Sequence, residues 1–346
     1  LSSRDEPRST SDRARARTAA APKAADAREP RSHARLEAWS VGAWFVGVLF
    51  LVLIVYLGLR PGGSGPVLAY NLGRDLVMLL ALITLLLGVA WSALHRPFMQ
   101  RRRFFPFLCL CAVIGVAEYP FPYPSSHEGH ASPVCMRLPV EGEWTVFWGG
   151  DTKEESLLSA YFADRRFGLD LVVTENGVSH RGDGLAASDY FAFDKRVLAP
   201  AAGAIVHVGD RAPDTPPGEY DSRVEAFGNY VVLEVAPSEF VFLCHLRQGS
   251  ISVREGERVE AGAVLGRVGS SGYSTVTPEP HLAIHMQDTP IPRRGEAIPW
   301  SFCDYSARAR DAVSGERVAR GVPHGGIGRD GAFLGQRVQA LASGGR

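Results

Sequence analysis

The chain has 346 residues, enough for two ordinary domains; 46% are hydrophobic, and 37 basic side chains balance 37 acidic ones. A formal net charge of zero excludes the strongly basic class that grips phosphate backbones, so no nucleic-acid partner is expected. Five cysteines cannot all pair internally, and their spacing matches no zinc knuckle.

In chain order, residues 1–36 carry nine Lys or Arg among Ala, Ser and Pro with no apolar run. That composition predicts a disordered basic tail, and its charged stretch is far too long for the leader of a signal peptide. Three apolar runs follow, at 38–59, 76–94 and 104–123. The first two are clean and long enough to cross a bilayer as helices; Pro106 and Glu118 interrupt the third. The loop between the first two carries only Arg60 and Arg74 as basic residues, whereas the nine residues 95–103 carry four Arg. Basic loops stay on the cytoplasmic side, so the pattern closes with three transmembrane helices in 37–123, the N-terminus in the cytoplasm, and everything beyond a 124–138 linker outside. Cys109 and Cys111 fall in the third run. Cys135, Cys244 and Cys303 lie beyond it, where an oxidising space permits one disulfide whose pairing stays open.

From residue 139 the texture changes to short apolar stretches between Gly, Pro and Asp. Residues 197–210, 228–235, 239–246, 263–269 and 281–287 are rich in β-branched or aromatic side chains and mostly alternate, which predicts strands. One short helix is expected about residues 153–167. Tight turns between strands imply a mainly β domain over 139–305, an antiparallel β-sandwich or partly closed barrel. Residues 306–346 read as a loose C-terminal tail. Along "HLAIH", His281, Ala283 and His285 alternate and leave one face of a strand.

The ordered fragments "VLAPAAGAIVHVGD", "GNYVVLEV" and "FLCHLRQGSISVREGERVEAGAVLGRVGSSGYSTVTPEPHL" resemble the lysostaphin/LytM-type zinc endopeptidases of bacterial cell walls. The likeness runs from about 165 to 302, and the flanking "EWTVFWGGDTKE" and "IPWSF" resemble a membrane-attached subgroup. It implies an antiparallel β-sandwich built on a duplicated hybrid motif, with a groove across one sheet. It also implies a zinc ion held by an early His and Asp and by the second His of an HxH strand, leaving a position for activated water. Two further histidines would orient that water and stabilise the intermediate.

Carried over by position, His245 and His281 match the two catalytic, non-ligand histidines, and Asp170 matches the metal-binding Asp. The early His falls on Arg166 in an HxxxD pattern, or within "SLLSAYF" in the subgroup, where no His stands. Ala283 occupies the place of the second His of HxH. Positions 281 and 285 are about 13 Å apart on an extended strand, so His285 replaces that ligand only if the strand bends. His180 and Asp183 in "SHRGDG" read as a turn whose Asp bonds backbone amides more readily than as a displaced ligand pair. His207 reads as a surface strand residue, and His127 and His130 as parts of a solvated spacer.

The resemblance, taken with these residues, implies a membrane-anchored, extracytoplasmic peptidase-like domain that acts on or binds peptidoglycan peptides with impaired zinc binding, a pseudoenzyme candidate that binds wall peptides or activates another cell-wall hydrolase. The alternative is an active zinc metalloendopeptidase that cleaves cross-links with non-standard ligands such as His180 or His285. The expected partners are peptidoglycan peptides and the lipid bilayer of a bacterial inner or cytoplasmic membrane. A lipoyl- or biotinyl-carrier role, suggested by the hairpin "VREGERVEAGAVLGRVG", is excluded because residues 196–346 contain no Lys to modify.

Overall fold

The computed structural model describes residues 37–95, 97–117, 119–127, 129–150, 156, 161–219, 225–274, 277–310, 312–327, 333 and 335–341. The basic tail 1–36, Glu118 and residues 153–155 and 157–160 of the helix expected about 153–167 lie outside these residues.

The apolar runs fold as helices α1 (Ala38–Gly58), α2 (Ser64–Leu68), α3 (Arg74–Leu94) and α4 (Arg101–Ala117), with a π-helical turn, Ala69–Gly73, joining α2 to α3. Two helical stretches, Ala38–Gly58 and Ser64–Leu94, are long and apolar enough to cross a membrane. At 1.5 Å per residue the first spans about 30 Å, the thickness of a hydrocarbon core. The third apolar run forms a helix through Pro106, α4, with 17 residues up to Ala117; residue 118 lies outside the described residues. Residues beyond it, including Pro120 and Pro122, run irregularly.

Ala43, Val46 and Phe50 of α1, Val77 and Ala81 of α3, and Leu110 and Val113 of α4 form the bundle core. Gly88 lets α3 approach α1, because a Cβ there would stand 2.6 Å from the Trp39 ring. Arg103 is 1% exposed at the start of α4. It donates from Nε to Glu37 Oε2 at 3.0 Å, from Nη2 to Glu37 Oε1 at 2.8 Å, and from Nη1 to the His95 carbonyl at 2.8 Å. A buried guanidinium needs such a full set of acceptors, and this one ties the start of α1 to the start of α4.

The rest is mainly β. Its strands are β1 (Cys135–Met136), β2 (Glu143–Trp148), β3 (Leu169–Val172), β4 (Arg196–Leu198), β5 (Gly203–Gly209), β6 (Asn229–Ala236), β7 (Glu239–Leu246), β8 (Arg258–Val259), β9 (Val264–Arg267), β10 (Leu282–Gln287), β11 (Ser301–Arg308), β12 (Glu316–Gly321) and β13 (Arg337–Ala340). Eleven form one sheet in the order β1-β11-β13-β2-β3-β10-β7-β6-β5-β8, with β12 also on β11; β4 and β9 form a separate ribbon. Every pairing is antiparallel except β1 with β11. The observed arrangement is therefore one large mixed sheet plus a ribbon.

Alternation along the central strands assigns the two faces. Val231 and Leu233 of β6, Val241 and Leu243 of β7, and Leu282, Ile284 and Met286 of β10 share the main core with Val197 of β4 and Leu265 of β9. The intervening Val232, Phe242 and Cys244 belong to a second cluster, with Ala283 packed against it.

Two sequence expectations change here. The described residues between 306 and 341 include paired strands where a loose tail is expected: β12 and β13 pair with β11, and β13 also pairs with β2. Their low apolar content hid them because backbone pairing carries them, with Val338 the one buried apolar residue of β13. The 124–138 linker is likewise strapped down. Ser126 donates to Glu296 from its amide at 2.8 Å and its hydroxyl at 2.5 Å, His127 Nε2 meets Asp288 Oδ2 at 3.1 Å, and Cys135 is disulfide-bonded to Cys303 with Cα atoms 5.6 Å apart.

That bond closes a loop of 168 residues. Cys303→Ser is expected to lower stability by about 2–5 kcal/mol. Thermal unfolding of the full chain in detergent would read this: reductant lowers the midpoint of the unmodified protein and leaves that of the variant unchanged. A reductant-insensitive midpoint in the unmodified protein contradicts the bond.

Candidate functional site

The site lies on the second face of the sheet, where β10 runs between β3 and β7. Ala283 is paired with Asp170 on one side and Cys244 on the other, and His285 is paired with Phe242. Asp170, Ala283 and Cys244 thus form one row across three strands. His281 stands immediately before β10, and His245 is the penultimate residue of β7. The structure therefore gathers the three residues singled out from the sequence, Asp170, His245 and His281, in one place.

His245 and His281 face each other with ring centroids 4.5 Å apart. Each is oriented by a backbone carbonyl: His245 Nδ1 lies 2.9 Å from the Ser271 oxygen, and His281 Nδ1 2.6 Å from the Glu279 oxygen. A carbonyl only accepts, so Nδ1 carries the proton and Nε2 of each neutral ring keeps its lone pair. His281 Nε2 has no hydrogen-bond partner and stands 3.8 Å from Asp170 Oδ2. Asp170 is 2% exposed, and its Oδ2 accepts the Thr277 hydroxyl at 2.5 Å.

Backbone geometry presents this group. His245 has φ of 63°, a left-handed value that costs a residue with a Cβ, and it lets β7 end with the ring turned to the cleft. Ser271 is held in place by the close approach of Gly228, itself at φ of 59°, where any side chain would strike the Ser271 backbone.

Two clefts meet at the histidine pair. One, a narrow cleft of about 20 Å³, is lined by Thr215, Ser271, Tyr273, Thr277, Glu279 and both rings. The other, of about 10 Å³, adds Arg165, Asp170, Phe227, Cys244, Ala283 and His285. Arg165 is the residue that sequence matching missed. Its guanidinium lies 3.9 Å from the Phe162 ring centre and 5.2 Å from that of Phe227. The neighbouring Arg166, where an HxxxD pattern expects a His, packs against Tyr123 at 3.9 Å.

The donor set does not fit a zinc ion. Asp170 and His281 face one another, but the third position in reach is the methyl group of Ala283. Cys244 sits next in the row as a fully buried thiol whose pKa burial pushes far up, so it stays protonated, whereas zinc takes the thiolate. Among the described residues no three His, Cys, Asp or Glu side chains come together to hold an ion. The substitute ligands are engaged elsewhere. His285 stacks on Phe242 at 4.8 Å. His180 packs on Tyr190 at 5.1 Å, and Asp183 accepts the Leu185 amide at 3.2 Å as a turn residue. His207 lies on the surface with Glu255 at 2.6 Å.

Burial holds the site rings neutral. It lowers His245 to about 3, with the neighbouring His281 adding to the effect. It lowers His281 to about 4, and His285 to about 3 with the Arg165 charge contributing. Burial acts on nearby carboxyls in the opposite direction, raising Asp170, Asp164 and Glu279.

Below the unfolded histidine value of about 6.5, an unfolded chain binds protons that the native rings refuse. Stability from these rings is therefore complete above about pH 6.5 and declines as pH falls towards their folded values. The three carboxyls, protonated first in the native state, partly offset that loss at the acid end. The melting temperature is expected to fall between pH 7 and pH 5, and to fall less in His285→Phe, which keeps the stack on Phe242 without the titrating ring. A flat profile in the unmodified protein contradicts neutral burial.

Residues 180–294 match the family described as Peptidase family M23. The matched segment holds His245, His281, Ala283 and His285 and begins after Asp170. No curated protein matches the chain. Solved structures similar to part of it include a zinc-containing peptidase from Vibrio cholerae, at 17% identity over 47% of this chain and 39% of that one, with a TM-score of 0.29. The catalytic domain of the antimicrobial peptidase lysostaphin from Staphylococcus simulans is 18% identical over 45% and 88%, with a TM-score of 0.26. A chain assigned to peptidase M23 from Pseudomonas aeruginosa is 21% identical over 45% and 46%, with a TM-score of 0.27. The chain thus spans less than half of the P. aeruginosa and V. cholerae proteins. At these scores the structures carry no inference about chemistry.

Proposed function

With residues 180–294 belonging to Peptidase family M23, we propose that the chain is a membrane-held domain of that family that binds cell-wall peptides without hydrolysing them. The carrying observation is Ala283, paired between Asp170 and Cys244 where a third metal donor would have to stand. An aspartate and one facing imidazole do not retain a dication against water, since each missing ligand removes a large part of the binding free energy. The features that remain serve recognition. Two clefts converge on neutral rings whose Nε2 lone pairs accept N–H groups, and Glu279 and Thr277 stand in the wall. An extended peptide offers such N–H donors at regular intervals.

Two observations support a position outside the cytoplasm. The Cys135–Cys303 disulfide suits an oxidising space. The apolar stretches Ala38–Gly58 and Ser64–Leu94 suit a membrane anchor, and with α4 (Arg101–Ala117) as a third crossing the β domain lies on the side opposite the basic 95–103 loop. In this reading the bilayer is the anchor and peptidoglycan the ligand.

The competing reading, a zinc endopeptidase, draws on the 3.8 Å approach of His281 Nε2 to Asp170 Oδ2. Elemental analysis of the full chain in detergent, paired with peptidoglycan sedimentation and digestion, separates the two. The expected result is far less than one zinc per chain, retention by sedimented peptidoglycan, and no release of cross-links. Ala283→His should raise zinc content by adding the missing donor beside Asp170. Stoichiometric zinc together with cleavage by the unmodified protein would establish the hydrolase instead.

A further inference from the structure

The cleft holding Asp170 and Ala283 also contains a cation. Arg165 is one of its lining residues, its side chain is 17% exposed, and its Nε is buried with no hydrogen-bond partner. Two more unpartnered buried atoms belong to residues lining the same space, Nε2 of His281 and Nε2 of His285. Buried polar atoms are almost always satisfied, so three around one cleft call for partners that arrive from outside the chain. Their chemistry specifies those partners. Guanidinium only donates, while His281 Nε2, with its proton fixed on Nδ1 by the Glu279 carbonyl, only accepts.

The nearby acids leave the hydrogen-bond donors of Arg165 open. Asp164 Oδ2 forms an ion pair with its Nε at 3.9 Å, too far for a hydrogen bond. Asp170 has its Oδ2 engaged by Thr277. The rings of Phe162 and Phe227 lie against the guanidinium and hold its planar fork in place, an arrangement suited to a bidentate anion.

We propose that Arg165 is the carboxylate receptor of this cleft: it seats a free carboxylate of a bound peptide while His281 Nε2 accepts an N–H from the same peptide. This rests on the peptide-binding reading above and adds the chemical class of ligand. A fixed guanidinium attracts a carboxylate, whereas it repels the ammonium end of a peptide, so the cleft selects for the acidic group.

The test uses the full chain in detergent and a stem peptide released from peptidoglycan, in its free-acid form and with its carboxylates chemically amidated, with binding followed by calorimetry. Charge-assisted hydrogen bonds to carboxylates predict that amidation weakens binding by at least about tenfold. Arg165→Gln should bind both forms equally, at the weaker level, and Arg165→Lys should recover part of the preference for the acid. The amidation comparison in the unmodified protein requires no variant, so a destabilised Arg165→Gln leaves the test intact. Equal affinity of the unmodified protein for acid and amide overturns the carboxylate receptor while peptide binding stands. Absence of binding by either form to a protein with an intact melting transition overturns both.

Discussion

The pairing of β10 between β3 and β7 is the constraint on which the site depends. It is fixed from the opposite face of the sheet. Leu282, Ile284 and Met286 of β10, with Val241 and Leu243 of β7, are almost completely buried in the main core. A slip of one residue would turn these side chains to the cleft and drive Ala283 and His285 into the core. Packing on one face therefore sets the order Asp170, Ala283, Cys244 on the other. Two departures from regular strand geometry complete the arrangement: the left-handed backbone at His245, and the carbonyls of Ser271 and Glu279 that fix both rings.

The same domain is tied to the helical region by several polar contacts. Glu296 accepts both Ser126 donors next to the turn at Gly62, the Gly62 amide donates to the Pro124 carbonyl at 3.2 Å, and Tyr70 donates to the Phe121 carbonyl at 3.1 Å. Arg166 adds its guanidinium to the Tyr123 ring. The segment joining helices to sheet is thus held at several points, with Pro124, Ser125 and Ser132 buried. Arg165 and Arg166, adjacent in sequence, divide between the peptide cleft and this joint, so the orientation of the cleft wall and the seating of the domain on the helices share one short stretch of backbone.

Much of this was legible in the sequence, for identifiable reasons. Strands β5, β6, β7, β9 and β10 announce themselves by β-branched alternation between Gly and Pro turns, and the apolar runs by length and lack of charge. Asp170, His245 and His281 were legible through motif order, and they do converge. The strands β12 and β13 were not, because exposed pairing strands carry little hydrophobic signal. Residues 306–346 consequently read as a tail. The Cys135–Cys303 pairing depends on the parallel contact of β1 with β11 across 168 residues, a relation that spacing does not encode. Arg165 was passed over because motif matching asks which expected residue is missing, and it does not ask what charge has taken up the space.

That last point bears on why the site persists without a third metal donor. A carboxylate buried as deeply as Asp170 is costly unless donors or positive charge compensate it. A dication would do so outright; here the Thr277 hydroxyl bonds Oδ2 and Arg165 supplies positive charge within the same cleft. The histidines need no such compensation, since burial keeps them neutral and one nitrogen of each is satisfied by a carbonyl. Their other nitrogens remain aimed at shared space, which is the geometry of a receptor for N–H groups as much as that of a catalyst. A polar cleft of this kind retains its shape through the core behind it, so the residue at position 283 sets what the face can hold without altering the face itself.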